Sequence, residues 1–138
     1  VMPTLLDLCN IDIPDTVDGI SAFSSEKREM LYGEIGEGDL ATRMVHDGRY
    51  KLIYYPTGNY VQLFDLEADP LELHNIAELE EFSRIRARLT DFLISNLYKG
   101  DEKWAVNGVL TGLPNKEAVF APDFNLSGQR GYHFPPPV

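Results

Sequence analysis

The chain has 138 residues, with 22 acidic side chains against 12 basic ones and a net charge of −10. That length supports one domain with one core, and the acid excess excludes the basic stripe expected of a nucleic-acid binder and disfavours docking on an anionic membrane surface. No apolar run approaches the roughly 20 residues of a membrane span. No leader sequence is read at the start, and a cytoplasmic or a periplasmic setting is equally open.

In chain order, Val1 to Cys9 places Met2, Leu5, Leu6, Leu8 and Cys9 on a broad apolar stripe, with Pro3 tolerated in the first helical turn and Asn10 as a stop. So short and apolar a helix is not stable alone, and it is expected to have a partner surface elsewhere. The opening at Val1, inside a helix, suggests a piece of something longer. Cys9 is the single cysteine, which excludes an internal disulfide and a multi-cysteine metal site; its apolar neighbours predict a buried structural thiol. Residues 10–29, rich in Asp and Ser, read as a connecting loop.

Four strands follow: Met30 to Ile35, Ala41 to His46, Tyr50 to Tyr55 and Tyr60 to Leu66. Asp47-Gly48 predicts a tight I′ hairpin, and Pro56-Thr57-Gly58-Asn59 a second turn. Leu52 and Tyr54 share one face, Ile53 and Tyr55 the other. Such a meander needs a helix on at least one side. Asp69-Pro70 then turns the chain, with one helical turn expected over Leu71 to His74.

Glu78 to Lys99 gives the clearest helical pattern. Leu79, Phe82, Ile85, Leu89, Phe92, Leu93 and Leu97 recur at three- and four-residue steps. Glu80 stands four before Arg84, and Gly100 supplies a stop. After Trp104 the chain is rich in Gly and Pro and reads as an extended tail, with 117–121 able to add a short strand and Pro135 to Pro137 stiff. The fold class is therefore α+β: a roughly four-stranded antiparallel sheet packed against one long helix, with an N-terminal helix remnant and an extended C-terminal tail.

Residue chemistry alone yields no active site. No nucleophile elbow, phosphate loop, dinucleotide fingerprint or H-x-x-x-H pair occurs. His46 and His74 read as solvated, packing or capping side chains. Glu34, Glu37 and Asp39 are loosely spaced around glycines and read as a solvated loop. Asp65, Glu67 and Asp69 lack the glycine and the distal glutamate of a Ca²⁺ loop, and read as an Asx-type turn. Arg130 and His133, in an Arg-Gly-Tyr-His-Phe run, could meet an anionic ligand, although surface anchoring is the simpler account.

Two segments resemble the sulfatases of the alkaline phosphatase superfamily. "VMPTLLDLCNIDIPDTVDGIS" is similar to the family segment in which a M-P-T-L-L-D-L helix is followed by a proline and V-D-G-x-S. "RMVHDGRYKLIYYPTGNYVQLFDLEADPLELHNIA" is similar to the later block R-x-V-R-D-G-R-Y-K-L-I followed by E-L-Y/F-D-L-x-x-D-P-x-E-x-x-N-L-A. The two cover a little over a third of the chain, in the family's order. "GQRGYHFPPP" is similar to the ends of some bacterial members. Cys9-Asn10 stands where Ala-Gly is usual, His46 where Arg is common, and Ser21-Ala22-Phe23 where Ser-Leu-Leu often follows; none touches chemistry.

The resemblance implies the C-terminal part of a sulfatase. Residues 1–29 would be a helix and loop from the edge of a missing catalytic domain, 30–104 the C-terminal subdomain, and 105–138 its tail. The family uses a formylglycine made within C/S-x-P/A-x-R and a divalent cation, usually Ca²⁺, held by Asp and Asn. Neither motif is present here, and Cys9 lacks the flanking residues, so this chain is expected to carry no cofactor of its own and to be inactive in isolation. The implied partner is the N-terminal catalytic domain of the same protein, with self-association through the apolar N-terminal helix as a further expectation. Arg43, Arg130 and His133 are the candidates for substrate contact. Two alternatives stay open: part of a related phosphodiesterase or phosphonate ester hydrolase, and a free-standing interaction module with no apolar patch at Met2, Leu5 and Leu6.

Overall fold

The computed structural model describes residues 1–116. The proposed strand at 117–121, Arg130, His133 and the proline run lie outside them. Helix α1 spans Met2–Leu8. Its end is a Schellman motif: Ile11 N donates to Leu6 O at 2.9 Å and Asn10 N to Asp7 O at 3.0 Å, with Asn10 left-handed at φ 55°. The following loop folds back on the helix. Ser21 Oγ donates to Asp7 Oδ2 at 2.6 Å, and Ala22 N to Thr4 Oγ1 at 3.0 Å. A Cβ on Gly19 would stand 2.8 Å from Pro3 Cγ, so the helix and the Asp-Gly-Ile-Ser run close on one another only with glycine there. The M-P-T and V-D-G-x-S halves of the first family segment are thus two sides of one contact.

The sheet comprises β1 (Leu31–Ile35), β2 (Thr42–His46), β3 (Tyr50–Tyr55) and β4 (Tyr60–Asp65), antiparallel in the order β1-β2-β3-β4. Opposite partners such as Arg43 and Tyr54, Val45 and Leu52, and Leu52 and Leu63 put these residues on a common face. Helix α2 (Ser83–Ser95) covers that face. Ala41, Val45, Leu52, Tyr54 and Leu63 meet Leu89, Leu93, Leu97 and Trp104 in one core. The α+β class, the sheet and its covering helix are as the sequence predicts.

Several local expectations are corrected. Helix α2 is shorter at both ends than Glu78–Lys99. Asn75 and Ile76 are drawn onto the outer edge of β4, where Leu63 N donates to Asn75 Oδ1 at 2.9 Å and Ile76 N to Leu63 O at 2.9 Å. The chain then enters the helix through a 3₁₀ turn at Glu80–Phe82, leaving Leu79 49% exposed. Glu80 accordingly lies before α2, and Arg86 pairs instead with Glu78 at 3.1 Å. At the other end Asn96 Nδ2 donates to Phe92 O at 2.8 Å and closes the helix early. Leu71 to His74 forms no helical turn, because Glu72 is left-handed at φ 56°.

The first hairpin is not type I′, since only Gly48 has positive φ. Asp47 instead acts as an acceptor, taking Arg49 N at 3.0 Å and Tyr50 N at 2.6 Å on Oδ1. Cys9 is exposed rather than buried, because α1 turns its apolar stripe away from the sheet core.

Past α2 the chain reverses through Gly100, left-handed at φ 95°, into a 3₁₀ turn at Asp101–Trp104 and a small hairpin, β5 (Ala105–Val106) and β6 (Val109–Leu110). It then docks on the β3–β4 turn. Leu113 N donates to Pro56 O at 2.7 Å and Gly58 N to Leu113 O at 3.0 Å. Lys116 ion-pairs Asp39.

Candidate functional site

A cleft of about 680 Å³ opens between two segments. One wall is the end of β1 and its glycine loop, from Glu34 to Gly38; the other is the reversal after α2, from Tyr98 to Trp104. Gly36, at φ 66°, could not carry a side chain: a Cβ would stand 2.6 Å from Leu40 O.

Arg43 forms the floor and is 4% exposed. Its Nε and Nη2 donate to Asp101 Oδ2 at 2.9 and 2.5 Å. Nη1 reaches Thr42 O at 2.9 Å and the carbonyls of Ile35 and Gly36 at 3.2 Å each. Glu34 lies 3.8 Å from Nε, and the guanidinium stacks 5.2 Å from the Trp104 ring centre. A guanidinium so buried needs every such partner, and here it has them. Arg43 therefore lies in the cleft with most of its donor capacity already committed.

Above it, the Tyr98 hydroxyl donates to Glu34. That bond stabilises the protonated phenol and, with burial, raises its pKa. Tyr98 is 40% exposed, and the Lys99 ammonium lies 5.4 Å from its ring centre. Lys103 and Glu37 form no ion pair among the described residues. Two buried polar atoms lack a partner there: the Tyr32 hydroxyl and the Trp104 indole nitrogen. Burial pushes the Tyr32 hydroxyl up to about 12, against the pull of Arg43.

Of the sequence candidates, Arg43, Glu34 and Glu37 come together at this cleft, Asp39 pairs with Lys116 outside its lining, and Arg130 and His133 lie outside the described residues. Tyr98, Asp101, Lys103 and Trp104 were not singled out by the sequence. The only hint was the Tyr-Lys-Gly-Asp run that stops the helix and turns the chain back. His46 Nδ1 accepts Gly48 N at 2.9 Å, so it caps the turn, and His74 is solvent-exposed with Nδ1 3.4 Å from Asp69 rather than packed.

Asp65, Glu67 and Asp69 offer no metal loop. Asp65 accepts Arg49 at 2.7–3.2 Å and the amides of Glu67 and Ala68 at 3.1 and 3.3 Å; Asp69 accepts His74 N at 2.8 Å. No group of three or more His, Cys, Asp or Glu able to hold a metal ion stands together among the described residues. Among the described residues, then, no set of side chains fits the divalent cation that the resemblance implies for the family.

The sequence matches the family described as "N-sulphoglucosamine sulphohydrolase, C-terminal" over residues 1–99. It is 33% identical over 121 residues to an arylsulfatase of Clostridium perfringens, covering 83% of this chain and 25% of that protein. It is 33% identical over 108 residues to a delta 4,5-hexuronate-2-O-sulfatase of Bacteroides thetaiotaomicron, covering 67% of this chain and 22% of that one. Among solved structures, a 2-O GAG sulfatase superposes with a TM-score of 0.62 at 30% identity, over 77% of this chain and 26% of the other. The chain spans about a quarter or less of the length of these relatives. No described helix is long and apolar enough to cross a membrane.

Proposed function

The chain belongs to the sulfatase family, as its C-terminal domain, and from that premise we propose that it is part of an enzyme that hydrolyses sulfate esters. The carrying observation is the family match over residues 1–99, which includes α1, the whole sheet and α2. In this reading the nucleophile, the divalent cation and its ligands belong to a preceding catalytic domain, and this chain alone is inactive. Val1, Met2, Leu5, Leu8 and Ile11 are between 51% and 96% exposed along α1 and its exit. Such an apolar strip supports contact with that domain and weighs against a free-standing module. Residues 1–29 then belong to the edge of the large domain, 30–104 to the subdomain and 105–138 to the tail.

The part this chain plays in the reaction is to frame one wall of the substrate cleft. Arg43 contributes through the groups it positions, and Arg130 and His133 are further contacts from the tail. The test is kinetic, on the full-length enzyme. It should hydrolyse an aryl sulfate and leave an aryl phosphodiester untouched, while Arg130→Ala and His133→Ala should raise KM. Preference for the phosphodiester would overturn the sulfate assignment, and unchanged KM would remove the tail residues from the site.

A further inference from the structure

The two edges of the sheet are finished differently. On β4, Leu63 N donates to Asn75 Oδ1 and Leu63 O accepts Ile76 N, so the outer side is covered there. On β1 the outward groups follow from the first hairpin. Asp47 N donates to Tyr50 O at 3.1 Å, which by alternation turns the backbone groups of Thr42, Met44 and His46 toward β1. Their partners are Ile35, Gly33 and Leu31, so Tyr32 and Glu34 turn their amides and carbonyls outward. No described residue bonds those outward groups.

An open edge is commonly guarded by a lysine, a proline or a bulge. Leu31–Ile35 has no Lys, Arg or Pro, and its register with β2 is unbroken. Its one charge, Glu34, accepts the Tyr98 hydroxyl and lies 3.8 Å from Arg43, so it is turned inward and compensated. The strand also complements itself. Laid antiparallel to a second copy and centred on Gly33, it sets Tyr32 opposite Glu34 of the other copy, and each such pair can exchange both backbone hydrogen bonds. Gly33 then faces Gly33 at the closely spaced, non-bonded position, where two side chains would crowd. On the face away from α2, Leu31 and Ile35, 49% and 71% exposed, meet across the seam and cover one another. A slip one way opposes Glu34 to Glu34; a slip the other way carries Ile35 past the end of the strand. We propose that two copies of this chain pair along β1 in the Gly33-centred register, joining their sheets across a two-fold axis. The pairing goes beyond the hydrolytic reading and does not rest on it.

The test is the mass of the full-length enzyme by sedimentation velocity at micromolar concentration, with a dimer expected. Leu31→Lys combined with Ile35→Lys sets ammonium groups against each other at both ends of the seam and should weaken the dimer at least about 100-fold. Leu31→Lys combined with Ile35→Glu sets opposite charges there and should return the dimer to within about tenfold of the parent. Both positions are exposed, and an unchanged melting temperature verifies that each variant is folded. A monomeric parent would overturn the proposal and point to the preceding domain as the cover of β1. A dimer untouched by the double lysine variant would move the contact to another surface, such as α1. Failure of the opposite-charge variant to dimerise would refute the register. Aryl sulfate hydrolysis is read separately, so loss of the dimer and loss of the sulfatase assignment are distinct results.

Discussion

Arg43 and Asp101 lie 58 residues apart in sequence, yet Nη2 and Oδ2 are 2.5 Å apart beneath the cleft. One residue comes from the second strand, the other from the turn after the covering helix. Their pair fixes where the end of that helix sits relative to the edge strand, because Glu34 and Tyr98 join the same network.

Removing Arg43 would leave Asp101, only 14% exposed, uncompensated and would free the carbonyls of Ile35 and Gly36. Arg43→Ala should lower unfolding free energy by about 3 kcal/mol in urea titration. Arg43→Lys should recover only a minor part, since an ammonium cannot reproduce the fork. A loss within about 0.5 kcal/mol would show that the pair does not hold the fold.

The core prediction separates two leucines that share one periodic pattern. Leu93→Ala, at a fully buried site, should cost roughly 2–5 kcal/mol. Leu79→Ala, at 49% exposure ahead of the helix, should fall within about 0.5 kcal/mol of the parent chain. Equal losses would place Leu79 in the core.

Hairpin positions were legible in the sequence because turn chemistry is local: Pro56 to Asn59 and the Asp47-Gly48 pair announce reversals wherever they occur, although the type of the first turn was not. The sheet and its covering helix followed from alternation and helical spacing. The ends of the helix did not, because Leu79 continues the apolar rhythm while its neighbours Asn75 and Ile76 are claimed by β4, a partner far back in the chain. Cys9 was misplaced for a related reason, since apolar neighbours do not say which side of a short helix faces the core. The cleft was hidden altogether apart from Arg43 and its loop: nothing near Asp101 in sequence points to a guanidinium 58 positions earlier.

A pH dependence follows from Asp65. Hydrogen bonds from Arg49, with those from the Ala68 and Glu67 amides, outweigh burial and hold its carboxyl at about 2 against the usual 3.8. A depressed carboxyl stabilises the fold above its unfolded value and loses that contribution as pH falls through its folded one. The melting temperature should therefore drop between pH 3.8 and about 2. Asp65→Asn should lower it at neutral pH and flatten that part of the profile. An Asn variant as acid-sensitive there as the parent would assign the drop to other groups.

Gly108 and Gly112 are both left-handed, at φ 77° and 61°, but only one is crowded. A Cβ at Gly112 would stand 2.3 Å from Pro56 O, whereas Gly108 has open space. Gly108→Ala should cost about 1–2 kcal/mol from backbone strain alone. Gly112→Ala should cost at least about 1 kcal/mol more, by forcing the 111–113 segment off the β3–β4 turn. Matching thermal unfolding curves for the two variants would show that this docking contributes nothing.

Asn75 and Ile76 occupy outward hydrogen-bonding groups of β4, while β1 keeps its outer row of amides and carbonyls unclaimed by any described strand. Around Leu63 the outer side of β4 is therefore closed to a further strand, and among the described residues β1 is the side that keeps a free row for one.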